Sequence, residues 1–223
     1  MKLSRLIPVT LALLGFIAAP VLAADPGTWI LKGGVGMVAP KNHNLTVTDG
    51  ADTLVVNVDD ATSLALSASY MFTENWAFEV LGAWPFKHDI KASIAGTPGS
   101  AKLGSTKHLP PTFSGVYHFS PDATFQPYLG AGLNWTTFFD SKLVPDLAVD
   151  GGPVDIDLDD SFGLAAVVGG DWMLNDKMLL SIEARWMDID SDATLIYDDG
   201  SSESIGTVKI DPWVYAIYIG YRF

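Results

Sequence analysis

The chain has 223 residues, of which 48% are hydrophobic and 17% charged, with 26 acidic residues against 13 basic ones and no cysteine. The acidic balance excludes a protein that binds nucleic acid through a basic surface, and one that adheres to anionic membranes through a polybasic segment. The missing cysteines exclude a disulfide framework and a thiolate metal site.

The first 23 residues have the pattern of a secretory signal peptide. Lys2 and Arg5 form a basic start, the apolar stretch Leu6–Ala19 follows, and Val21–Ala23 fits a cleavage site. The apolar stretch is shorter than the roughly 20 residues that a spanning helix needs. We therefore predict a signal peptide, residues 1–23, and one domain, residues 24–223, whose 11 basic and 26 acidic residues give a net charge of −15.

Alternation of side chains predicts eight strands in this domain. The last one shows it best, because every second residue from Trp213 to Phe223 is apolar and mostly aromatic, while the other face is mixed. The predicted strands are Thr28–Val38, Ser63–Phe72, Trp76–Lys87, Thr112–Phe119, Phe125–Phe138, Ser161–Met173, Met178–Asp188 and Val208–Phe223.

The connections between these strands alternate in length. Short turns lie at Thr73–Asn75, Ser120–Thr124 and Leu174–Lys177. The long links are Ala39–Thr62, His88–Pro111, Phe139–Asp160 and Ile189–Thr207. This pattern predicts an all-β fold: an eight-stranded antiparallel transmembrane β-barrel of the cell outer membrane, with short periplasmic turns and four long external loops. A soluble lipocalin-like barrel is the alternative, although aromatic residues at the strand ends favour lipid interfaces.

Several local motifs occur together along the domain. They are Trp84–His88, His108–Thr112, Pro127–Phe139, Asp160–Gly163, Trp186–Asp190, Asp211–Val214 and the terminal Gly220–Phe223. With them the chain resembles the outer membrane protein W (OmpW) family, which includes the AlkL hydrophobe-uptake proteins. The resemblance implies a narrow apolar channel that opens sideways, so that small hydrophobic molecules enter from outside and leave passively through the wall, without a cofactor. An eight-stranded interior is also too narrow for a wide aqueous pore.

Five polar residues are expected on the inner face of the barrel: Glu79, His118, Glu183, Arg185 and Arg222. In the functional interpretation these residues act together as a polar plug that seals the periplasmic half of the lumen. The alternative is ordinary filling of a small barrel, because a charge facing lipid near the midplane costs about 2–4 kcal/mol.

Apolar residues in the first long loop are candidates for a ligand entrance. Exposed apolar groups indicate either a ligand funnel or mutual packing, and strand extension beyond the membrane is the alternative. The end of the fifth strand contributes aromatic residues that line the same entrance or anchor the barrel at the lipid interface. The candidates are Leu45, Val47, Leu54, Val55, Val56, Trp135, Phe138 and Phe139.

His108, Leu109, Pro110 and Pro111 precede the fourth strand and are the candidate lateral gate. Proline donates no backbone hydrogen bond, so two consecutive prolines interrupt the pairing with a neighbouring strand. A gap in the wall is what a sideways exit needs. The alternative is a strand end that already lies above the bilayer.

The aspartates at 155, 157, 159 and 160 have the spacing that begins a calcium loop. Counting from Asp155, the sixth position is Asp160 instead of glycine and the twelfth is Ala166 instead of glutamate. A solvated acidic rim is therefore the interpretation, and no metal site is predicted. A divalent cation that bridges this rim to lipid phosphates is left open.

No catalytic motif is recognisable, so an enzyme is not predicted. The four histidines lack metal-ligand spacing, and no nucleophile elbow, phosphate loop or dinucleotide fingerprint occurs. The expected partners are outer-membrane lipids, a small hydrophobic ligand and the outer-membrane assembly machinery, which the terminal Tyr221 and Phe223 would engage. The alternative functions are a structural or surface-interaction barrel with a plugged lumen and, third, an outer-membrane hydrolase. The oligomeric state stays open.

Overall fold

The computed structural model describes residues 24–49, 52–145, 147 and 151–223, and within them it has fifteen β-strands. The predicted signal peptide, residues 1–23, lies outside the described residues. In chain order the strands are β1 Trp29–Ala39, β2 Leu45–Asp49, β3 Asp52–Val58, β4 Ala61–Met71, β5 Trp76–Ala83, β6 Phe86–Ile94, β7 Ala101–Leu109, β8 Thr112–His118, β9 Phe125–Leu143, β10 Pro153–Leu158, β11 Ser161–Met173, β12 Met178–Met187, β13 Asp190–Tyr197, β14 Ser202–Lys209 and β15 Trp213–Arg222. Among the described helical turns none is long and apolar enough to cross a membrane.

Eight of the described strands close into an antiparallel barrel. The order around the wall is β1, β4, β5, β8, β9, β11, β12 and β15, and β1 pairs on one side with β4 and on the other with β15. Because the first and last strands meet, the wall has no free edge, so each wall strand has a hydrogen-bonded neighbour on both sides. The prediction of an eight-stranded antiparallel barrel is confirmed.

The two faces of the wall differ as a membrane barrel requires. Along β15 burial alternates strictly, with Tyr215 and Ile217 exposed and Ala216 and Tyr218 buried. Large apolar side chains cover the outside of the other wall strands as well, for example Leu64 on β4. An apolar outside and a partly polar inside match lipid on one side and a packed lumen on the other, so the lipocalin-like alternative is wrong.

Prolines shift several strand ends from their predicted places. The predicted strand Trp76–Lys87 is broken after Ala83, and β6 starts anew behind Pro85. The predicted strand Val208–Phe223 is likewise divided before Trp213, where Pro212 follows Asp211. Proline offers no backbone donor, and Asp211 has a positive φ of 35°, so the ladder cannot continue through either place.

The long loops hold the remaining strands. The strands β2, β3, β6 and β7 extend from the end of β9 as one sheet, and β10, β13 and β14 form a second. The strand β9 belongs both to the barrel wall and to the first outer sheet, because it pairs with β8 in the wall and with β7 beyond the wall. Long connections mark the outer end of barrels of this type, so the two sheets stand on the outer end.

Candidate functional site

The lumen is filled by a buried network around Arg185. Its guanidinium lies 2.6 Å from a carboxylate oxygen of Glu79 and 3.4 Å from one of Glu183, and it donates to the Ser114 hydroxyl at 3.0 Å. The hydroxyl of Tyr128 donates to Glu183 at 3.0 Å. All five side chains are buried, and these bonds pair most of their polar atoms where bulk water has no access. The Nε atom of Arg185 is buried without a partner among the described residues.

A second ion pair lies in the same lumen. Lys32 is 3.0 Å from Asp171 and donates to the Ser181 hydroxyl at 3.3 Å. Arg222 donates to Gln126 at 2.5 Å. Among the described residues three buried basic and three buried acidic side chains therefore share this space and balance each other.

Sequence reasoning found part of this network. Glu79, Glu183 and Arg185 are brought together, while Arg222 contacts Gln126 and the His118 ring lies 5.2 Å from the Tyr128 ring. It missed Lys32 and Asp171. Strand alternation could have found both, because each lies two residues from an inward-facing neighbour on its own strand, Ile30 and Met173 respectively.

Above the lumen, between the two outer sheets, lies an apolar cavity of about 280 Å³. Five predicted entrance residues line it: Leu45, Val47, Leu54, Val56 and Phe138. The opposite wall comes from the sheet of β10, β13 and β14 and includes Ile156, Leu158, Leu195, Ile205 and Val208. Both sheets turn aliphatic side chains toward each other, so the cavity provides an apolar ligand with contacts on every side.

Three predicted entrance residues do not face the cavity. Trp135 and Phe139 point to the outside of β9, where Trp135 donates its indole N–H to Asp160 at 3.2 Å. Asn134 and Thr136, on either side of Trp135, face inward, so Trp135 faces outward. The expectation that Trp135 and Phe139 line the entrance is corrected accordingly. Val55 is likewise not among the lining residues, whereas its neighbours Leu54 and Val56 are.

Two stacked histidines border the cavity. The rings of His88 and His108 lie 4.8 Å apart and 11° from parallel, and the Nδ1 atom of His88 donates to the Asp59 carbonyl at 2.6 Å. Burial lowers the pKa of His88, and burial together with the neighbouring His88 lowers the pKa of His108 to about 3. Both rings are therefore neutral near pH 7, and the cavity has no charged group from this pair.

The proline pair coincides with a break in the barrel wall. Leu81 is opposite Thr112, and the register resumes only where Phe86 is opposite His108. Between these pairs no residue of 82–85 is a register partner of Leu109, Pro110 or Pro111. A small void of about 10 Å³, lined by Phe86 and Pro110 among others, lies at the break. His108 lines the apolar cavity and is the register partner of Phe86 at the edge of the break, so the break and the cavity adjoin at this residue.

The acidic residues divide into two groups. The side chains of Asp155, Asp157, Asp159 and Asp160 are exposed, as expected of an acidic rim. Carboxylate oxygens of Asp188, Asp190 and Asp211 lie within 4.8 Å of one another and could hold a cation. Lys41 forms an ion pair with Asp211, and Lys209 lies 3.8 Å from Asp190. The second group is therefore already partly neutralised by lysine.

Comparison with known proteins identifies relatives of this chain. The family profile described as "OmpW family" matches residues 25–223. Outer membrane protein W of Vibrio cholerae is 42% identical over 207 residues, which are 92% of this chain and 93% of that protein. Outer membrane protein W of Escherichia coli is 33% identical over 227 residues, 99% of this chain and 100% of that protein. These names are those of outer-membrane proteins, not of enzymes.

A solved structure agrees with the fold. The crystal structure of the outer membrane protein OprG from Pseudomonas aeruginosa superimposes with a TM-score of 0.77 at 35% identity. The alignment covers 91% of this chain and 99% of OprG. The similarity thus includes the outer sheets as well as the barrel wall.

Proposed function

The chain belongs to the OmpW family of outer-membrane proteins, and from this premise we propose that it takes up small apolar molecules passively and releases them sideways into the membrane. The single observation that carries the proposal is the position of the apolar cavity. It lies above a lumen filled with ion pairs and beside a break in the wall. For a molecule in this cavity the break is the apolar way out in our proposal, because the lumen below is occupied by the polar network.

The cavity favours apolar molecules for physical reasons. Its volume of about 280 Å³ is near the lower end of small-molecule sites, which have about 300–1,000 Å³. Aliphatic side chains such as Leu54 and Val56 line it, and each square ångström of apolar surface removed from water stabilises the complex by about 25 cal/mol. A sugar or an ion would lose its hydration there without receiving hydrogen bonds in return.

The lateral exit rests on the two prolines. The backbone N–H of Trp84 donates to the Leu64 carbonyl, and the Pro111 carbonyl accepts from the backbone N–H of Trp135. Each side of the break is therefore hydrogen-bonded to its other neighbouring strand and not across the break. Residues in the break therefore need not exchange strand hydrogen bonds for a ligand to pass between them. The roles of His108, Leu109, Pro110 and Pro111 as a gate are part of this proposal.

Binding is tested with purified protein in detergent and an apolar fluorescent probe, N-phenyl-1-naphthylamine. Val56→Trp places an indole ring in the cavity, and we expect probe affinity to fall at least tenfold. Val55→Trp is the matched control, because Val55 neighbours Val56 on β3 but does not line the cavity. Equal binding by wild type and Val56→Trp would refute the cavity as the ligand site.

The exit is tested with the double substitution Pro110→Thr and Pro111→Val, which supplies two backbone donors. We expect cells that carry this variant to take up the probe more slowly, while the purified variant binds it as wild type does. Binding thus serves as the control for folding and for the cavity. Uptake at the wild-type rate would show that the break is not the exit.

The second candidate is a surface-interaction barrel, which the filled lumen favours. In that case the apolar cavity would be a packing defect between the outer sheets. Val56→Trp would then leave probe binding unchanged, and the double proline variant would leave uptake unchanged. The same two experiments therefore separate the candidates.

A further inference from the structure

Basic residues are concentrated on one face of the outer end. This lysine face is the outward side of β6, β7 and the end of β9. Its members are Lys87, Lys91, Lys102, Lys107 and Lys142. Asp59, Asp89 and Asp140 lie among them, which leaves the face with a net charge of +2 in a domain whose net charge is −15.

The strand register places these lysines against each other. Lys87 is directly opposite Lys107, and Lys91 is directly opposite Lys102. Like charges directly opposite on neighbouring strands destabilise a sheet unless carboxylates of the chain or another anion neutralise them. The histidines on the inner face of the same hairpin are neutral and add no further positive charge.

The nearby carboxylates neutralise only part of the positive charge of these lysines. Lys91 lies 2.5 Å from Asp59 and Lys102 lies 2.7 Å from Asp89, so both members of that pair have a carboxylate partner. Lys107 and Lys142, by contrast, share the single carboxylate of Asp140 at 2.7 and 2.8 Å. Within the part of the chain that the structure describes, Lys87 makes no ion pair. The lysine side chains in these pairs are 38–71% exposed and can therefore reach a ligand from the outside.

The face stands at the height where headgroups lie. Trp84 is 73% exposed and Phe139 also points outward, and aromatic residues of this kind mark the membrane interface. Lys107 is the register partner of Phe139. Lys87 follows Trp84 by three residues, which span at most about 10 Å of extended chain. The lysines thus begin just beyond the apolar part of the bilayer.

We propose that the lysine face binds the phosphate groups of the glycolipid in the outer leaflet. The phosphate lies between Lys87, which makes no ion pair among the described residues, and Lys107, which shares the carboxylate of Asp140 with Lys142. Ammonium groups bind phosphate oxygens through charge-assisted hydrogen bonds, which removes the repulsion within this pair. This inference does not depend on the uptake of apolar molecules.

The test uses the full-length protein in detergent, with lipid A that carries two phosphates as the probe and dephosphorylated lipid A beside it. The variant is Lys87→Gln with Lys107→Gln. Since one lysine near a charged surface contributes roughly a fivefold change in affinity, we expect binding of the phosphorylated probe to fall about 25-fold. The matched control is Lys41→Gln with Lys209→Gln, two lysines of the outer end that pair with Asp211 and Asp190, and we expect a change below about twofold.

Thermal unfolding without lipid A excludes a merely structural role. Removing like-charged neighbours should leave the unfolding temperature unchanged or raise it. Wild-type affinity in the double variant, or equal binding of dephosphorylated lipid A by the wild type, would overturn the proposal. If binding is lost together with a lower unfolding temperature, a second variant, Lys142→Gln, decides the test. It removes an exposed lysine that shares Asp140, and wild-type affinity in this variant would overturn the proposal.

Discussion

Replacing Arg185 by methionine tests whether the lumen is held closed by charge. The substitution keeps a long side chain but removes the cation from Glu79 and Glu183, and it deletes the hydrogen bond to Ser114. All of these groups are buried, so the two carboxylates lose a partner that water cannot replace in the packed lumen. Breaking a buried ion pair in this way costs about 3–5 kcal/mol.

Two assays follow the variant. Urea unfolding in detergent, monitored by tryptophan fluorescence, should show a stability loss of about 3–5 kcal/mol. Conductance across a planar bilayer should rise and favour cations, because the lumen gains one uncompensated negative charge and draws in water.

The double variant Glu79→Gln with Arg185→Met is the control. It restores the balance, since Lys32 and Arg222 then remain opposite Asp171 and Glu183. We expect it to be more stable than Arg185→Met alone, with a coupling of about 0.5–3 kcal/mol between the two sites. A stability of Arg185→Met within about 0.5 kcal/mol of wild type, with conductance unchanged, would refute the reasoning.

Two further predictions concern the outer hairpin and the wall. The pKa of His88 is lowered in the folded state and that of His108 is lowered to about 3, so the unfolded chain binds more protons than the folded one below about pH 6.5. The stability that depends on neutral His108 is therefore lost as the pH falls from about 6.5 to about 3. At pH 5 the free energy of unfolding is lower by about 2 kcal/mol because of His108. Amide exchange of β6 and β7, corrected for the intrinsic rate, should therefore be faster at pH 5 than at pH 7. The substitution His108→Phe should reduce this difference. Gly132→Ala should prevent the barrel from closing, because its methyl group would lie 2.0 Å from the Phe113 carbonyl oxygen. Gly115→Ala, where a methyl group meets open space, should give the folded form on a heat-modifiability gel.

The barrel wall could be predicted from local sequence. Alternation along Trp213–Arg222 separates the lipid face from the lumen, and the bounds of Ser161–Met173 were predicted as the structure has them. Both follow from the two-residue period of a strand, which depends on no distant contact. Asn, Asp, Ser and Pro at the short turns likewise act locally.

The outer end could be predicted only in part. The apolar loop residues Leu45 and Val56 gave the signal for an entrance, but their opposite wall, with Ile156 and Leu195, comes from strands of two later loops more than 90 residues away along the chain. The opposition of lysines on β6 and β7 depends on the pairing register, which includes a bulge after Ile90. A shift of one residue in register would turn these side chains to the other face, and the sequence does not specify it.

The most direct test of lateral uptake compares two solutes in cells that carry or lack the chain. One is an apolar tracer of the size of naphthalene, and the other is a polar solute of similar size, such as a pentose. We predict that the chain accelerates entry of the apolar tracer alone, and that Val56→Trp abolishes the acceleration. Equal acceleration of both solutes would indicate an aqueous pore and contradict the proposal. Acceleration of neither would contradict it too, and would favour the surface-interaction barrel.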